Sequence, residues 1–218
     1  MKLLIELDDA STKWFKEKLS ELNPSVAYEV LQADFQHIET HLPNHFEQLS
    51  PHLNALLEHE KVQSAELIAV PNITLSLLLS GRQRGVDWAG CSKKVIDPVT
   101  LLSHYLLRNN ASSFLLIGSA YTSQNPVWDQ IQSPLQLKRE VLSSDDAAAI
   151  DALRRSIRIK SVGPNDKSRL LELLANLSSS GLRVIACSEF SQLNPTHQEM
   201  LEHRLCDLGE LLAEAFNL

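Results

Sequence analysis

The chain is poor in clustered positive charge, in cysteine and in long apolar runs, and each shortage removes a class of function. Its 218 residues carry 20 Lys and Arg against 27 Asp and Glu, a formal net charge of −7. Binding to a phosphate backbone needs clustered Lys and Arg that displace counterions. No such cluster occurs, so no nucleic-acid partner is expected. The cysteines, Cys91, Cys187 and Cys206, are odd in number and irregular in spacing, with no CxxC pair, so neither a disulfide framework nor a structural zinc site is expected. No apolar run reaches the roughly 20 residues that span a bilayer. The opening stretch Met1-Lys2-Leu3-Leu4-Ile5-Glu6-Leu7 is too short for a secretory signal. A cytoplasmic protein with no membrane partner is the expectation.

What is present reads as an ordinary globular chain, with 44% hydrophobic and 22% charged residues and no low-complexity tract. Residues 1–7 read as a strand. Residues 11–22 read as an amphipathic helix, because Trp14, Phe15, Lys18, Leu19 and Leu22 recur at helical spacing before Asn23-Pro24 stops it. A helix over 46–62 leads to a strand over 65–70, and a Gly-, Arg- and Ser-rich connection covers 80–94. A strand at 94–96 meets Asp97-Pro98, which opens a helix over 99–108. A strand at 113–117 runs into Gly118-Ser119-Ala120-Tyr121-Thr122-Ser123. Helices are expected over 144–159, capped by Ser144-Asp145-Asp146, over 165–179, stopped by Gly181, and over 198–216. Between the last two lies the strand that carries Cys187.

Strands alternating with helices at this spacing imply βα units around mostly parallel sheets, with helices on both faces. Two strand-plus-polar-turn groups, at 70–74 and 186–189, lie about half a chain apart. The expected architecture is therefore α/β, with two similar lobes, each a mostly parallel sheet flanked by helices, facing across a cleft. The lobes are expected at 1–95 with 205–218, and at 96–204.

Ligands of open parallel sheets sit beyond the carboxyl ends of the strands. The buried-type run Leu182-Arg183-Val184-Ile185-Ala186 delivers Cys187, Ser188 and Glu189 at such an end, a thiol, a hydroxyl and a carboxylate in succession. That pattern suits a thiol acid/base whose proton is managed by Glu189; the alternative is a buried structural cysteine. Asn72, Thr74, Ser119, Thr122 and Ser188 form a set of small hydrogen-bonding groups at strand ends, suited to gripping a carboxylate, though such residues also populate plain turns. His37, His41 and His45 are spaced four apart, but Pro43 interrupts the helix that would align them, and no metal is expected there. Cys91 and Cys206 read as structural.

Several of these segments resemble the aspartate/glutamate racemase superfamily. Cys187-Ser188-Glu189 is similar to its second-lobe Cys-Thr-Glu motif, and Phe114-Leu115-Leu116-Ile117-Gly118-Ser119-Ala120-Tyr121-Thr122 to its Leu-Leu-Gly-Thr-x-x-Thr loop. Ile96-Asp97-Pro98, Leu205-Cys206-Asp207 and Ser11-Thr12-Lys13-Trp14-Phe15 resemble further landmarks. The resemblance implies two pseudo-twofold-related α/β lobes with the active site in the cleft between them, a homodimer, and racemisation of a small acidic amino acid without pyridoxal phosphate or any other cofactor. Inversion needs an acid/base on each face of the α-carbon, because a single base returns the proton to the face it left. Members of this family that racemise use two thiols.

This chain departs from that pattern in the first lobe. The family's Pro-Cys-Asn-Thr-x-His appears as Val70-Pro71-Asn72-Ile73-Thr74-Leu75, with Pro71 at the thiol position and Thr74 as the substitute acid/base. A hydroxyl needs an adjacent base to serve. The glycine-rich turn after the first strand is replaced by Leu7-Asp8-Asp9-Ala10, which removes backbone donors for a carboxylate and makes Asp8 or Asp9 a candidate local base. By resemblance the catalytic set is Cys187, Thr74 and Glu189, and Asn72, Ser119, Thr122 and Ser188 bind a small carboxylate or amino acid. Two other readings stay open: a single-cysteine decarboxylase or isomerase of a small dicarboxylate, and a catalytically silent carboxylate-binding relative.

Overall fold

The computed structural model describes residues 1–7, 10–34, 46–80, 94–135 and 137–218. The chain forms two compact units, Met1–Pro98 with Glu210–Leu218, and Val99–Gly209.

In the first unit the order is β1 (Lys2–Leu7), α1 (Ala10–Leu22), β2 (Glu29–Ala33), α2 (Phe46–Glu58), α3 (Glu60–Ser64), β3 (Leu67–Ala69) and α4 (Ile73–Leu79). The sheet order is β2-β1-β3, and both pairings are parallel. A single parallel bridge, Ile68 with Val95, is all that forms at the strand expected over 94–96. β1 is central, and its Leu3, Leu4, Ile5 and Leu7 are fully buried, as a strand covered on both faces requires. Leu3, Ile5 and Leu7 share a core with Leu53, Leu57, Val62, Leu75 and Leu78. Phe15 of α1 and Tyr28 contact Phe216 from the end of the chain, with ring centroids 6.4 and 5.8 Å away.

The second unit runs α5 (Pro98–Arg108), β4 (Ser113–Ile117), α6 (Ala120–Ser123), a 3-10 turn (Pro126–Trp128), α7 (Asp129–Leu135), β5 (Lys138–Glu140), α8 (Ser144–Lys160), α9 (Asp166–Asn176), β6 (Leu182–Ile185), α10 (Ser188–Ser191), α11 (His197–Glu202) and β7 (Leu205–Asp207); α12 (Leu208–Asn217) then closes the chain. Its sheet order is β5-β4-β6-β7, all parallel. Ile150, Leu153 and Ile157 of α8 and Leu170 and Leu174 of α9 pack with Leu115, Ile117, Ile185, Cys187 and Phe190 in one core.

The structure revises several sequence expectations. The helix expected over 46–62 breaks at His59, whose Nδ1 accepts from the backbone N–H of Lys61 at 3.2 Å and caps α3. The helix expected over 198–216 is instead α11, β7 and α12. Arg204 takes a left-handed backbone (φ 50°) that ends α11, and Leu205–Asp207 pairs with β6 as the fourth strand of the second sheet. The cap of α8 is Ser143, whose Oγ accepts from the N–H of Asp146 at 3.1 Å. β2 and β5 carry no strong alternation; both are edge strands held by pairing to a central neighbour.

Candidate active site

β6 lies between β4 and β7, and the N–H of Ala186 extends its ladder by donating to the Ile117 carbonyl at 2.8 Å. The chain then turns at Cys187, which has an extended backbone and occupies the position just before α10. Fully buried Phe190 pins the turn into the core, and the Cys187 carbonyl accepts from the N–H groups of Phe190 and Ser191. Gly118, at the end of neighbouring β4, makes the approach possible. A Cβ there would stand 3.1 Å from the Ala186 oxygen and 3.5 Å from the Cys187 Cβ.

Cys187 is a buried free cysteine whose thiol donates to Glu189 Oε2 at 2.8 Å. Ser188 Oγ donates to the same oxygen at 3.4 Å. The other carboxylate oxygen, Oε1, accepts from Arg154 Nη1 of α8 at 3.2 Å. Arg154 Nε in turn donates to Asp151 Oδ1 at 2.9 Å, and Arg155 Nε lies 3.1 Å from Asp151 Oδ2. Sulfur, carboxylate, guanidinium and carboxylate thus form one chain of polar contacts.

Burial pushes the Cys187 thiol well above its ordinary value of 9.0, and the charge and hydrogen bond of Glu189 push it the same way; Arg154 and the Glu189 backbone N–H oppose them. The thiol is therefore protonated at neutral pH, a hydrogen-bond donor at rest. Burial acts to lower Arg154, but the Asp151 hydrogen bond and the surrounding negative groups outweigh it and the guanidinium is held above its ordinary range. Behind the turn, buried Asp207 at the end of β7 accepts from Ser191 Oγ at 2.9 Å and from the Gly209 N–H at 2.8 Å.

The other expected residues are placed as follows. Ser119 caps α6: its Oγ accepts from the Thr122 N–H at 3.1 Å and lies 2.9 Å from Thr122 Oγ1. Arg139 of β5 holds this segment, donating to the Ser123 carbonyl at 2.8 Å and the Asn125 carbonyl at 3.2 Å. Ser119 and Thr122 follow β4 directly, so they sit at the strand end beside that of Cys187 in the same sheet. Asn72 and Thr74 belong to the first unit. Asn72 Oδ1 accepts from the Leu75 N–H at 3.0 Å and caps α4, and half-buried Thr74 stands in the first turn of that helix, after buried Pro71. Asp8, Asp9, His37, His41, His45 and Cys91 lie outside the described residues.

Sequence reading missed Arg154, Asp151, Gly118 and the site role of the α8 face. One signal was available: Asp151 and Arg154 are an i,i+3 pair beside the apolar positions Ile150, Leu153 and Ile157. Among the described residues, no group of three His, Cys, Asp or Glu side chains is gathered to hold a metal ion. No described helix is long and apolar enough to cross a membrane. A cavity of about 250 Å³ in the first unit, lined in part by Leu31, Asp34, His52 and His59, includes none of the expected site residues.

No family sequence model matches the chain, and no curated protein matches it in sequence. Solved structures do match it in fold. A candidate Asp/Glu racemase from Yersinia pestis superposes with a TM-score of 0.71 at 14% identity, covering 99% of this chain and 96% of that one. An aspartate racemase homologue from Pyrococcus horikoshii gives 0.68 at 15% identity, covering 99% and 96%. The aspartate racemase of Picrophilus torridus gives 0.71 at 13% identity, covering 99% and 91%. The chain has the α/β fold of these racemase structures over essentially its whole length; fold alone does not carry their activity.

Proposed function

We propose that this protein is a cofactor-independent, racemase-like enzyme acting on a small acidic amino acid of the aspartate or glutamate type, with Cys187 moving the α-proton on one face of the substrate. The observation that carries this reading is the thiol of Cys187 donating to the Glu189 carboxylate at the end of a central parallel strand. In the deprotonating direction the S–H bond breaks and its proton passes to Glu189 Oε2. The thiolate so formed takes the α-proton, and the C–H electron pair delocalises into the substrate carboxylate. In the other direction the neutral thiol delivers its proton to the carbanion, and the thiolate left behind takes back from Glu189 Oε2 the proton that the carboxyl received in the deprotonating step. Ser188, with Ser119 and Thr122 of the same unit, supplies hydrogen bonds that hold the substrate carboxylate. Inversion further requires an acid/base on the opposite face, a role for which the sequence resemblance offers a hydroxyl, Thr74, where the family has a thiol.

Two observations favour a second reading, a single-cysteine decarboxylase or isomerase of a small dicarboxylate. The thiol is neutral at rest, the state a one-sided proton donor needs. The first-unit strand end carries buried Pro71 in place of a thiol. Solvent deuterium incorporation at the α-carbon of L- and D-aspartate and L- and D-glutamate separates the readings. Exchange from both enantiomers that vanishes in Cys187→Ala supports the racemase. Exchange from one enantiomer makes the protein a one-sided thiol catalyst, and no exchange from any of the four sinks the racemase reading for these substrates.

A further inference from the structure

Arg154 lies on α8, more than 30 positions before Cys187 in the chain, yet its guanidinium reaches the Cys187 turn. Two nitrogens of one fork do separate work: Nε bonds Asp151 on the same helix, and Nη1 bonds Glu189 Oε1. The opposite oxygen of Glu189, Oε2, is the one that accepts the thiol. Arg154 and Glu189 each have only 16% of their side chains exposed, so water does little to reorient either group. The charged groups around the sulfur are Glu189 on its own turn and Arg154 and Asp151 on α8, with Arg155 behind Asp151. Asp207 of β7 reaches the turn through Ser191.

We propose that Arg154, anchored by Asp151, is a positioning residue for proton transfer at Cys187: it fixes the Glu189 carboxylate with one oxygen on the guanidinium and the other on the sulfur. A carboxylate with no second anchor rotates about its side-chain torsions and spreads its hydrogen bonding over water and Ser188. A carboxylate gripped from behind presents Oε2 to the thiol alone. A planar fork can span two carboxylates in this way, and a single ammonium cannot do so with the same geometry. The inference rests on the reading of Cys187 as the proton-transferring group and names what sets its partner in place.

The test needs no substrate. The rate at which iodoacetamide alkylates Cys187 in the full-length protein, followed by mass spectrometry of the Cys187 peptide across a pH series, reports how readily the thiol ionises. Arg154→Lys keeps the positive charge and removes the fork. Release of Glu189 from the sulfur should then raise the alkylation rate at a fixed pH near 8 on the order of tenfold, which corresponds to a one-unit fall in the midpoint. Glu189→Gln should raise it by a similar factor. In the Glu189→Gln background, Arg154→Lys should change the rate by no more than about twofold, because the group it positions is already neutral. Asp151→Asn, which frees the other end of the fork, should reproduce the rise and covers the case of an R154K protein that fails to fold. An unchanged rate in R154K and D151N, or the same factor with and without Glu189, overturns the positioning role. Failure of the deuterium experiment with a positive result here would remove the substrate reading and leave this inference standing.

Discussion

The first unit's strand end at Asn72 and the second unit's strand end at Cys187 have almost the same backbone and opposite uses. Asn72 has φ −137° and ψ 114°, Cys187 has φ −150° and ψ 121°, and each is the last residue before a helix. The carboxamide of Asn72 accepts from the N–H of Leu75 three residues on, so the side chain closes its own helix. The thiol of Cys187 makes no capping bond and donates sideways to Glu189. Sulfur is a weak acceptor, so it leaves the helix N–H groups alone and keeps its proton for a carboxylate. Ser119, at the end of β4, follows the Asn72 pattern. The same position before a helix therefore carries a side-chain cap at two strand ends and a thiol–carboxylate pair at the third.

The largest expected effect breaks this contrast at its chemical end. Cys187→Ala should lower α-proton exchange by about 10²- to 10⁴-fold, the usual worth of a positioned acid or base, while removing no capping bond; deuterium incorporation by NMR checks it. The next effect reads the same thiol through stability. Its folded value lies above the ordinary 9.0, so its stabilising contribution is complete below pH 9 and is lost as pH rises from there toward the folded value. Unfolding free energy should accordingly fall above pH 9 by up to about 1.4 kcal/mol per pH unit. Urea titrations should find this alkaline limb missing from Cys187→Ala.

At the structural end of the contrast, Asn72→Ala should destabilise the protein by about 1 kcal/mol through loss of the α4 cap. It should leave the pH midpoint of Cys187 alkylation where it was; a shifted midpoint would mean that the two strand ends are not independent. The smallest effect falls on the capping box of α11, where the Thr196 N–H donates to Glu199 Oε2 at 2.6 Å. That backbone hydrogen bond comes first among the causes holding the Glu199 carboxyl below its ordinary 4.5, so its contribution is present above pH 4.5 and is lost as pH falls through the lower folded value. Glu199→Gln should flatten the acid limb of a thermal-unfolding series and leave Cys187 alkylation unchanged.

Legibility in the sequence followed length and burial. β1 and β4 are five- or six-residue runs flanked by clear turn or helix signals, and they appear where the apolar pattern placed them. β5 is three charged residues, Lys138-Arg139-Glu140, and β7 is three residues inside a stretch that reads as helix; neither is long enough to show a period of two. Each is a strand because a neighbour supplies its pairing. The same holds for the candidate site. Cys187, Ser188 and Glu189 are contiguous, and the apolar run before them advertises a strand end. The i,i+3 spacing of Arg154 from Asp151 does not separate it from Arg155, which stands at i,i+4 from the same carboxylate, and only the packing of α8 against the Cys187 turn selects it.

By itself the sequence determined the alternation of strands and helices, the parallel character of the sheets and the thiol-hydroxyl-carboxylate succession at 187–189, because these rest on local periodicity and on nearest neighbours in the chain. The tertiary structure alone decided which oxygen of Glu189 meets the sulfur, that Arg154 and Asp151 stand behind it, and that Asn72 and Ser119 close helices. Hydrogen-bond partners are fixed by distance and direction in space, which residues far apart in sequence acquire only once the core has packed.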